Sequence, residues 1–461
     1  MDGQPLLHRA FRRVIDVRPA EVLALAWSWL YIFCVMGSYA ILKPIRDDAG
    51  VAGGVENLPW LFTGTLVGML MVNPAFSALV ARLPRARFIG VAYRFFALNL
   101  LVFALGFKLA SAGQNIWVGR MFYVWTSVFN LFVVSVFWAL MVDVFTAEQG
   151  KRLFGFIAAG ATLGNITGAS ATAALAPHVA PTYLLLASAV LLEVAVFTVR
   201  RLSRLSDVLL RRHEPRDERP VGGGIVEGLT HAVASPYLIN ISLFILLYSI
   251  TSTFLYFQQA GIAKAYFIDR GARTAFFARI DVYVNVLTLG GQLFLTGPVM
   301  RRLGVALTLA LLPALTVIGF GTLALAPTLA VLVVVLVVRR AGNYALARPA
   351  REVLFTVVPR EDKYKAKSFI DTVVYRTGDQ VGAWTSALLA SPRLGLGMAG
   401  VALVAIPLSI AWLVNALWLG RRQEALARDA AGPPEPRGFD VTPRADAGAG
   451  GGVPAPAQER R

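Results

Sequence analysis

"EQGKRLFGFIAAGATLGNITGA", Glu148–Ala169, has an echo in the second half of the chain, "EDKYKAKSFIDTVVYRTGDQVGA", Glu361–Ala383. Each copy opens on an acidic residue and a basic pair, passes through Phe-Ile at 156–157 or 369–370, and closes on Gly-xxx-Gly-Ala at 164–169 or 378–383. One insertion between Phe-Ile and the glycines brings the copies into line. Gly-xxx-Gly on a helix lets a neighbouring helix come close, so the echo marks two equivalent packing sites. Parallel halves related by an axis along the membrane normal are what transporters of the major facilitator type show.

Composition agrees with a chain that lives in a bilayer. Of 461 residues, 56% are hydrophobic and 15% charged, with mean hydropathy +0.62; a soluble domain carries roughly a quarter charged residues. Apolar runs long enough to span a membrane fall at about 22–42, 59–81, 88–110, 116–142, 153–176, 181–201, 237–260, 274–299, 303–325, 327–346, 366–390 and 396–419. The tenth is interrupted by Arg339 and Arg340. The expected fold is an all-α polytopic membrane protein of twelve transmembrane helices in two six-helix pseudo-repeats. The expected division is a cytoplasmic segment 1–21, six-helix bundles 22–202 and 237–420 joined by a cytoplasmic loop 203–236, and a disordered tail 421–461.

With both termini inside, the inner segments before the tail hold 26 basic residues and the outer ones 7, so the positive-inside rule places both ends in the cytoplasm. The net charge of +17 then reads as a topology signal rather than a nucleic-acid footprint. The N-terminal segment is too polar to read as a cleaved signal peptide.

Ionisable or amide side chains inside a membrane are costly and mark function or interhelical partners. The eighth span aligns Asp281, Asn285, Thr288 and Gln292 on one stripe, with Arg279 on another face. The eleventh spaces Asp371, Tyr375 and Asp379 by four, with Arg376 able to pair with Asp379. The fourth aligns Arg120, Tyr123, Ser127 and Asn130, and the seventh Tyr248, Ser252, Tyr256 and Gln259. Such stripes are either interhelical hydrogen-bond seams or the lining of one aqueous cavity. Arg94 and Glu193, lone charges in the third and sixth spans, read as interhelical partners. Asp143, Glu148, Lys151 and Arg152 read as a gating network at the inner mouth, with Glu361 and Lys365 the equivalents in the second copy.

No enzyme signature accompanies these. "VGGGIVEG" lacks the Gly-Lys-Ser/Thr ending of a phosphate loop, no Gly-x-Ser-x-Gly occurs, and the four histidines and single Cys34 give no metal spacing. The chain is expected to need no cofactor and to catalyse no reaction.

The end of the first span, "SYAILKPIRDDAG" (Ser38–Gly50), packs Lys43, Pro44, Arg46, Asp47 and Asp48 into six positions. Pro44 is expected to break the helix there, and Lys43 either faces a cavity or snorkels to outer headgroups.

"YAILKPIRDDAGV" resembles the nucleotide translocase family, the ATP:ADP antiporters of plastids and obligate intracellular bacteria. "KYKAKSFIDTVVYRTGDQVGA", "RLFGFIAAGATLGNITGA" and "YVWTSVFNLFVVSVFWALMVDVF" resemble that family's eleventh, fifth and fourth spans. The likeness covers about residues 20–420 and is specific in these segments. It implies a major-facilitator-like carrier whose charged span residues hold nucleotide phosphates. Arg46 falls where the family has a Lys, and keeps the charge. Tyr123 and Tyr256 stand where it has Glu, and Asp379 where it has Lys, which points to a divergent bacterial relative and away from strict ATP/ADP exchange.

The expected function is therefore secondary transport by alternating access of a nucleotide or other phosphorylated or anionic metabolite, in the bacterial inner membrane, with the lipid bilayer and no nucleic acid as surroundings. Arg46, Arg120, Arg279 and Arg376 are the expected anion contacts, with Tyr123, Trp125, Tyr256 and Asn285 beside them. Asp47, Asp281, Asp371 and Asp379 are the expected counter-ions or proton carriers. Alternatives are a proton-coupled exporter of neutral or cationic compounds, and a non-transporting membrane sensor or scaffold.

Overall fold

The computed structural model describes residues 17–82, 85–210, 235–358 and 366–431, apart from Ala20, Ser368, Pro392 and Arg393. The architecture is all-α. The first six long helices are α1 (Val22–Ala52), α2 (Leu58–Arg82), α3 (Arg85–Leu109), α4 (Ala112–Val144), α5 (Ala147–Leu175) and α6 (Pro181–Leu210). Six more follow: α7 (Pro236–Tyr266), α8 (Arg270–Phe294), α9 (Thr296–Leu325), α10 (Leu329–Gly342), α11 (Tyr375–Leu389) and α12 (Met398–Ala431). α10 runs on through a π turn, Asn343–Ala347, into a short helix, Arg348–Leu354, and α11 is entered through a π turn, Ile370–Val374.

Among the described residues, ten helical segments are long and apolar enough to cross a membrane. α8 and α11 are the two helices outside that set, for physical reasons. α8 carries Arg273, Arg279, Asp281, Asn285 and Gln292, and α11 is an α-helix of only 15 residues once the π turn is set aside. Both are helices whose polar stripes the sequence singles out.

Pro44 does not break α1. The helix passes through it and continues to Ala52, ten residues beyond the expected end of the first span. At 31 residues α1 is roughly 46 Å long, more than the ~30 Å hydrocarbon core. The Lys43–Asp48 cluster is therefore the last third of a continuous helix, not a cap. Asp47 and Asp48 are buried there.

The two glycine repeats do the same work in their two halves. A Cβ on Gly164 would run into the Phe33 carbonyl, and one on Gly168 into the Gly37 carbonyl, both on α1. In the second copy a Cβ on Gly378 would meet Ser249 Cβ at 2.6 Å, and one on Gly382 would meet Thr253 Cβ at 2.9 Å, both on α7. So α5 lies backbone-to-backbone on α1, and α11 on α7. Arg94 and Glu193 pair at 3.5 Å between α3 and α6.

One apolar cluster is built from α1 and α3 to α6, with Ala275 of α8 added. Two more come from the last six and their connections. A fourth joins Val51, Leu58, Leu61 and Tyr123 to Phe257, Ala260, Phe276, Phe277 and Ala383. It lies at the end of the bundle away from the chain termini, here called the far end. There the two sets of helices are also tied by Thr63–Gln380 at 2.9 Å and by the edge-to-face indoles of Trp60 and Trp384.

Crowding at the glycines predicts that Gly164→Val and Gly382→Val will each lower the thermal midpoint of the detergent-purified protein, by the roughly 1–3 kcal/mol typical of overpacking. Gly155→Ala, where a Cβ meets nothing within 4 Å, will leave it unchanged or raise it, since Ala is the better helix former.

Candidate functional site

The far third of α1 faces the centre of the bundle, and its charges organise the site. Lys43 Nζ donates to Asp281 of α8 at 2.5 Å, and Arg340 of α10 donates to the same carboxylate oxygen at 2.8 Å. Lys43 thus faces the interior and does not snorkel. Asp281 is buried and shared between two cations, with its backbone carbonyl accepting from Asn285 at 2.8 Å.

One helical turn on, Arg46 donates to Asp47 from Nε at 3.0 Å and from a terminal nitrogen at 2.7 Å. It also lies over the Tyr123 ring at 5.0 Å. Tyr256 Oη donates to the same Asp47 oxygen at 3.1 Å. With its proton so placed, the Tyr256 oxygen accepts from Tyr123 Oη, also 3.1 Å away. The tyrosine pair joins α4 to α7 across the centre.

Two adjoining cavities meet at Arg46, Ser252 and Tyr256. One, of about 190 Å³, is lined also by Phe62, Tyr123, Ser127, Arg376 and Asp379. The other, of about 160 Å³, is lined also by Lys43, Asp47, Tyr248, Gln259, Arg339, Arg340 and Tyr375. In the first, Asp379 accepts from Ser249 at 2.6 Å and from Arg376 at 3.1 Å. In the second, Arg339 is 3% exposed and has no carboxylate partner among the described residues. Its guanidinium donates to Thr316, Thr251 and the Tyr248 carbonyl and lies against the Tyr248 and Trp412 rings.

The lining therefore sets five cations, Lys43, Arg46, Arg339, Arg340 and Arg376, against Asp47, Asp379 and the adjacent Asp281. Two positive charges are left without a fixed counter-charge. Chemically, this is a polar chamber with aromatic walls that suits a small anion.

Of the residues expected from sequence, the structure brings Arg46, Asp47, Tyr123, Tyr256, Asp281, Arg376 and Asp379 to this centre, while Asn285 lines neither cavity and only bonds back to the Asp281 carbonyl one turn away on α8. The seventh-span stripe, Tyr248, Ser252, Tyr256 and Gln259, lines one cavity along its whole length. Four expected residues lie elsewhere. Arg279 is exposed on the opposite face of α8 from Asp281, because two residues on a helix are about 200° apart. Asp371 sits in the π turn and pairs with Arg351 at 3.2 Å. Trp125 stacks on Phe122 and Phe129, and Arg120 donates to the Gly53 carbonyl at 3.1 Å; both line a separate pocket between α2 and α4.

Among the expected gating residues, Arg152 donates at 3.0 Å to Glu21, which precedes α1. Asp143 lies in the last turn of α4. Glu148 and Lys151 are on the first turn of α5, with side chains outside the described residues, as are Glu361 and Lys365 altogether.

Sequence reasoning missed Arg339 and Arg340, read only as an interruption, and the Asp48 cluster. Asp48, on α1, accepts from Arg270 and Arg273 of α8 at 2.6 Å each. The signal available was the pair of acids at 47–48: two adjacent carboxylates on one helix face different ways and need two sets of partners.

No protein-family model matches the chain. It is similar to ADP,ATP carrier protein 1 of Chlamydia trachomatis, 22% identical over 85% of this chain and 87% of the carrier. The carrier of the same name from Chlamydia muridarum is 23% identical over 77% of this chain and 79% of its own length. The resemblance read from the sequence thus extends over most of the chain, as that of a divergent relative. Among solved structures, a bacterial homologue of the iron transporter ferroportin in an inward-facing state superposes with a TM-score of 0.60 at 13% identity, over 89% of this chain and 100% of that one. An auto-inhibited POT family peptide transporter gives 0.55 at 13%, over 89% and 97%. The nucleoside transporter NupG gives 0.54 at 12%, over 89% and 99%. At these identities the likeness shows the fold: an all-α polytopic membrane protein of major-facilitator-like architecture.

Two predictions follow from the charges. Asp281→Asn strands Lys43 and Arg340, and will destabilise the purified protein by about 3–5 kcal/mol, as breaking buried ion pairs does; Lys43→Met added to it will recover part of that in a thermal melt. At the mouth of α1, burial opposes ionisation of Glu21, but donation from the Arg18 N–H, Gln149 and Arg152 outweighs it and holds the carboxyl below its ordinary 4.5. A depressed carboxylate stabilises the fold above its unfolded pKa and loses that stabilisation as pH falls through the folded value. The melting temperature will therefore fall between about pH 5 and pH 3, and Glu21→Gln will flatten that part of the profile.

Proposed function

We propose that this chain is a secondary-active carrier that moves a nucleotide or another phosphorylated or anionic metabolite across the bacterial inner membrane, with both termini cytoplasmic. The observation that carries this reading is the surplus of two cations in a buried chamber, with Arg339 lacking any carboxylate partner among the described residues. A buried charge without a counter-charge is costly, and an anion entering the chamber supplies one. The Tyr123 and Phe62 rings beside Arg46 add apolar walls suited to a planar group. Likeness to the chlamydial ADP,ATP carriers supports a nucleotide-related substrate.

Alternating access would rock the helices of 22–202 against those of 237–420 about this chamber. The Asp48 ion pairs, the bridging apolar cluster and the Trp60–Trp384 contact would be the closed gate at the far end. Lys43, Arg46, Arg339 and Arg376 would hold the anion, with Asp47 and Asp281 as resting counter-ions.

A second reading rests on Asp379, a carboxylate in the cavity wall where Ser249 and Arg376 reach it. Such a group could carry a proton, as in proton-coupled exporters of neutral or cationic compounds.

Uptake of labelled ATP, ADP, phosphorylated sugars and dicarboxylates into proteoliposomes tests both. A charge-assisted hydrogen bond is worth about 1.5–3 kcal/mol, so Arg46→Ala and Arg339→Ala will each raise the KM for the transported anion roughly tenfold or more. Uptake of none of these anions, or uptake indifferent to both substitutions, overturns the first reading. Transport driven by a pH gradient and lost in Asp379→Asn would favour the second.

A further inference from the structure

A large apolar opening lies outside the chamber, between α2 and α4. It has a volume of about 670 Å³ and runs from Asn57, Trp60, Trp117 and Arg120 down to Val72 and Val128. Trp60 to Val72 is twelve residues and Trp117 to Val128 eleven, so the slot is roughly 16–18 Å long at 1.5 Å per residue. That matches one leaflet of a hydrocarbon core about 30 Å thick.

The two ends of the slot differ in chemistry. The deep end is aliphatic. The end near the helix starts carries two largely exposed indoles, Trp60 at 64% and Trp117 at 62%, the residue type that gathers at the membrane–water boundary. Between them lies Arg120, whose guanidinium is 4.7 Å from the Trp117 ring and donates to the Gly53 carbonyl. Among the described residues it pairs with no carboxylate. Its Nε–H and the Nε1–H of Trp125, another wall residue, are buried and without an acceptor.

A cation with an unused donor, at headgroup depth, above an apolar slot one leaflet long, calls for an amphiphile with an anionic oxygen. We propose that this pocket binds an anionic phospholipid, its phosphodiester on Arg120 and one acyl chain lying along Val72 and Val128. This site is separate from the chamber and does not depend on what the chamber carries. An anionic headgroup is favoured over a zwitterionic one because it leaves the Arg120 charge neutralised, whereas a choline or ethanolamine ammonium would restore it.

Native mass spectrometry of the detergent-purified full chain, incubated with phosphatidylglycerol or with phosphatidylcholine of the same acyl chains, tests this. The wild type will retain phosphatidylglycerol about fivefold better, the factor expected for one basic residue near an anionic headgroup. Arg120→Ala will retain the two lipids equally, while Arg120→Lys will keep most of the preference. Met121→Trp, a substitution at a wall residue 58% exposed, will fill the slot and lower retention of both. Equal retention by the wild type, or a preference unchanged in Arg120→Ala, overturns the proposal. So does a dimer that forms without lipid and is broken by Met121→Trp, which would make a second copy the occupant. Should Arg120→Ala not purify, Arg120→Gln, which removes the charge and keeps most of the side chain, decides between the same outcomes.

Discussion

A charge held among membrane-spanning helices must meet an opposite charge, a hydrogen-bonding partner or water, and the last third of α1 places four of them in six residues. Every one is answered. Lys43 reaches Asp281, Arg46 reaches Asp47, Asp47 takes a further hydrogen bond from Tyr256, and Asp48 takes two from Arg270 and Arg273. Apart from the Arg46–Asp47 pair, those answers come from α7 and α8. Helix α1 keeps its charges satisfied only while it touches the second set of helices. The rest of the arrangement follows: glycines that let α5 lie against α1 and α11 against α7, an apolar cluster sealing the same end, and tyrosines bridging the middle.

Much of this was legible in the chain. Periodic apolar runs located the twelve long helices to within a few residues at most ends, because a span must be apolar over a fixed length. The Gly-xxx-Gly echo located the two close helix contacts, because only glycine fits there. The seventh-span stripe located one wall of the chamber. What the sequence concealed was phase and partnership. Pro44 reads as a breaker in isolation, but in a helix packed on all sides tertiary contacts hold the chain helical through it. Arg279 and Asp281 are neighbours in sequence and point apart on the helix. Arg270 and Arg273 precede the expected eighth span, yet both pair with Asp48, and Arg273 is buried there. Arg340 shares Asp281 with Lys43 only because α10 packs beside α8, a fact of folding that no local pattern encodes.

The departures from the resembled carriers acquire a structural setting. Tyr256 is bonded to Tyr123 and to Asp47, so the positions where the resemblance implies carboxylates hold a neutral hydroxyl chain here. The resemblance thus implies two fewer negative charges at the centre, where the arginines and Lys43 are in excess over the acids among the described residues. Asp379 returns one negative charge, yet Arg376 lies 3.1 Å from it and offsets it. The balance of the described charges around the cavity is thus positive.

That positive balance has an electrical consequence. Each elementary charge carried across a membrane potential of 100 mV exchanges about 2.3 kcal/mol with the field. A chamber holding two surplus positive charges presents a different load to the field when empty than when a dianion sits in it, since only the filled chamber is close to neutral. Reorientation of the empty form would then respond to voltage, while that of the filled form would respond little. On the proposed cycle, Arg339, seated between Tyr248 and Trp412 with no acid beside it among the described residues, would make the resting potential of the membrane a participant.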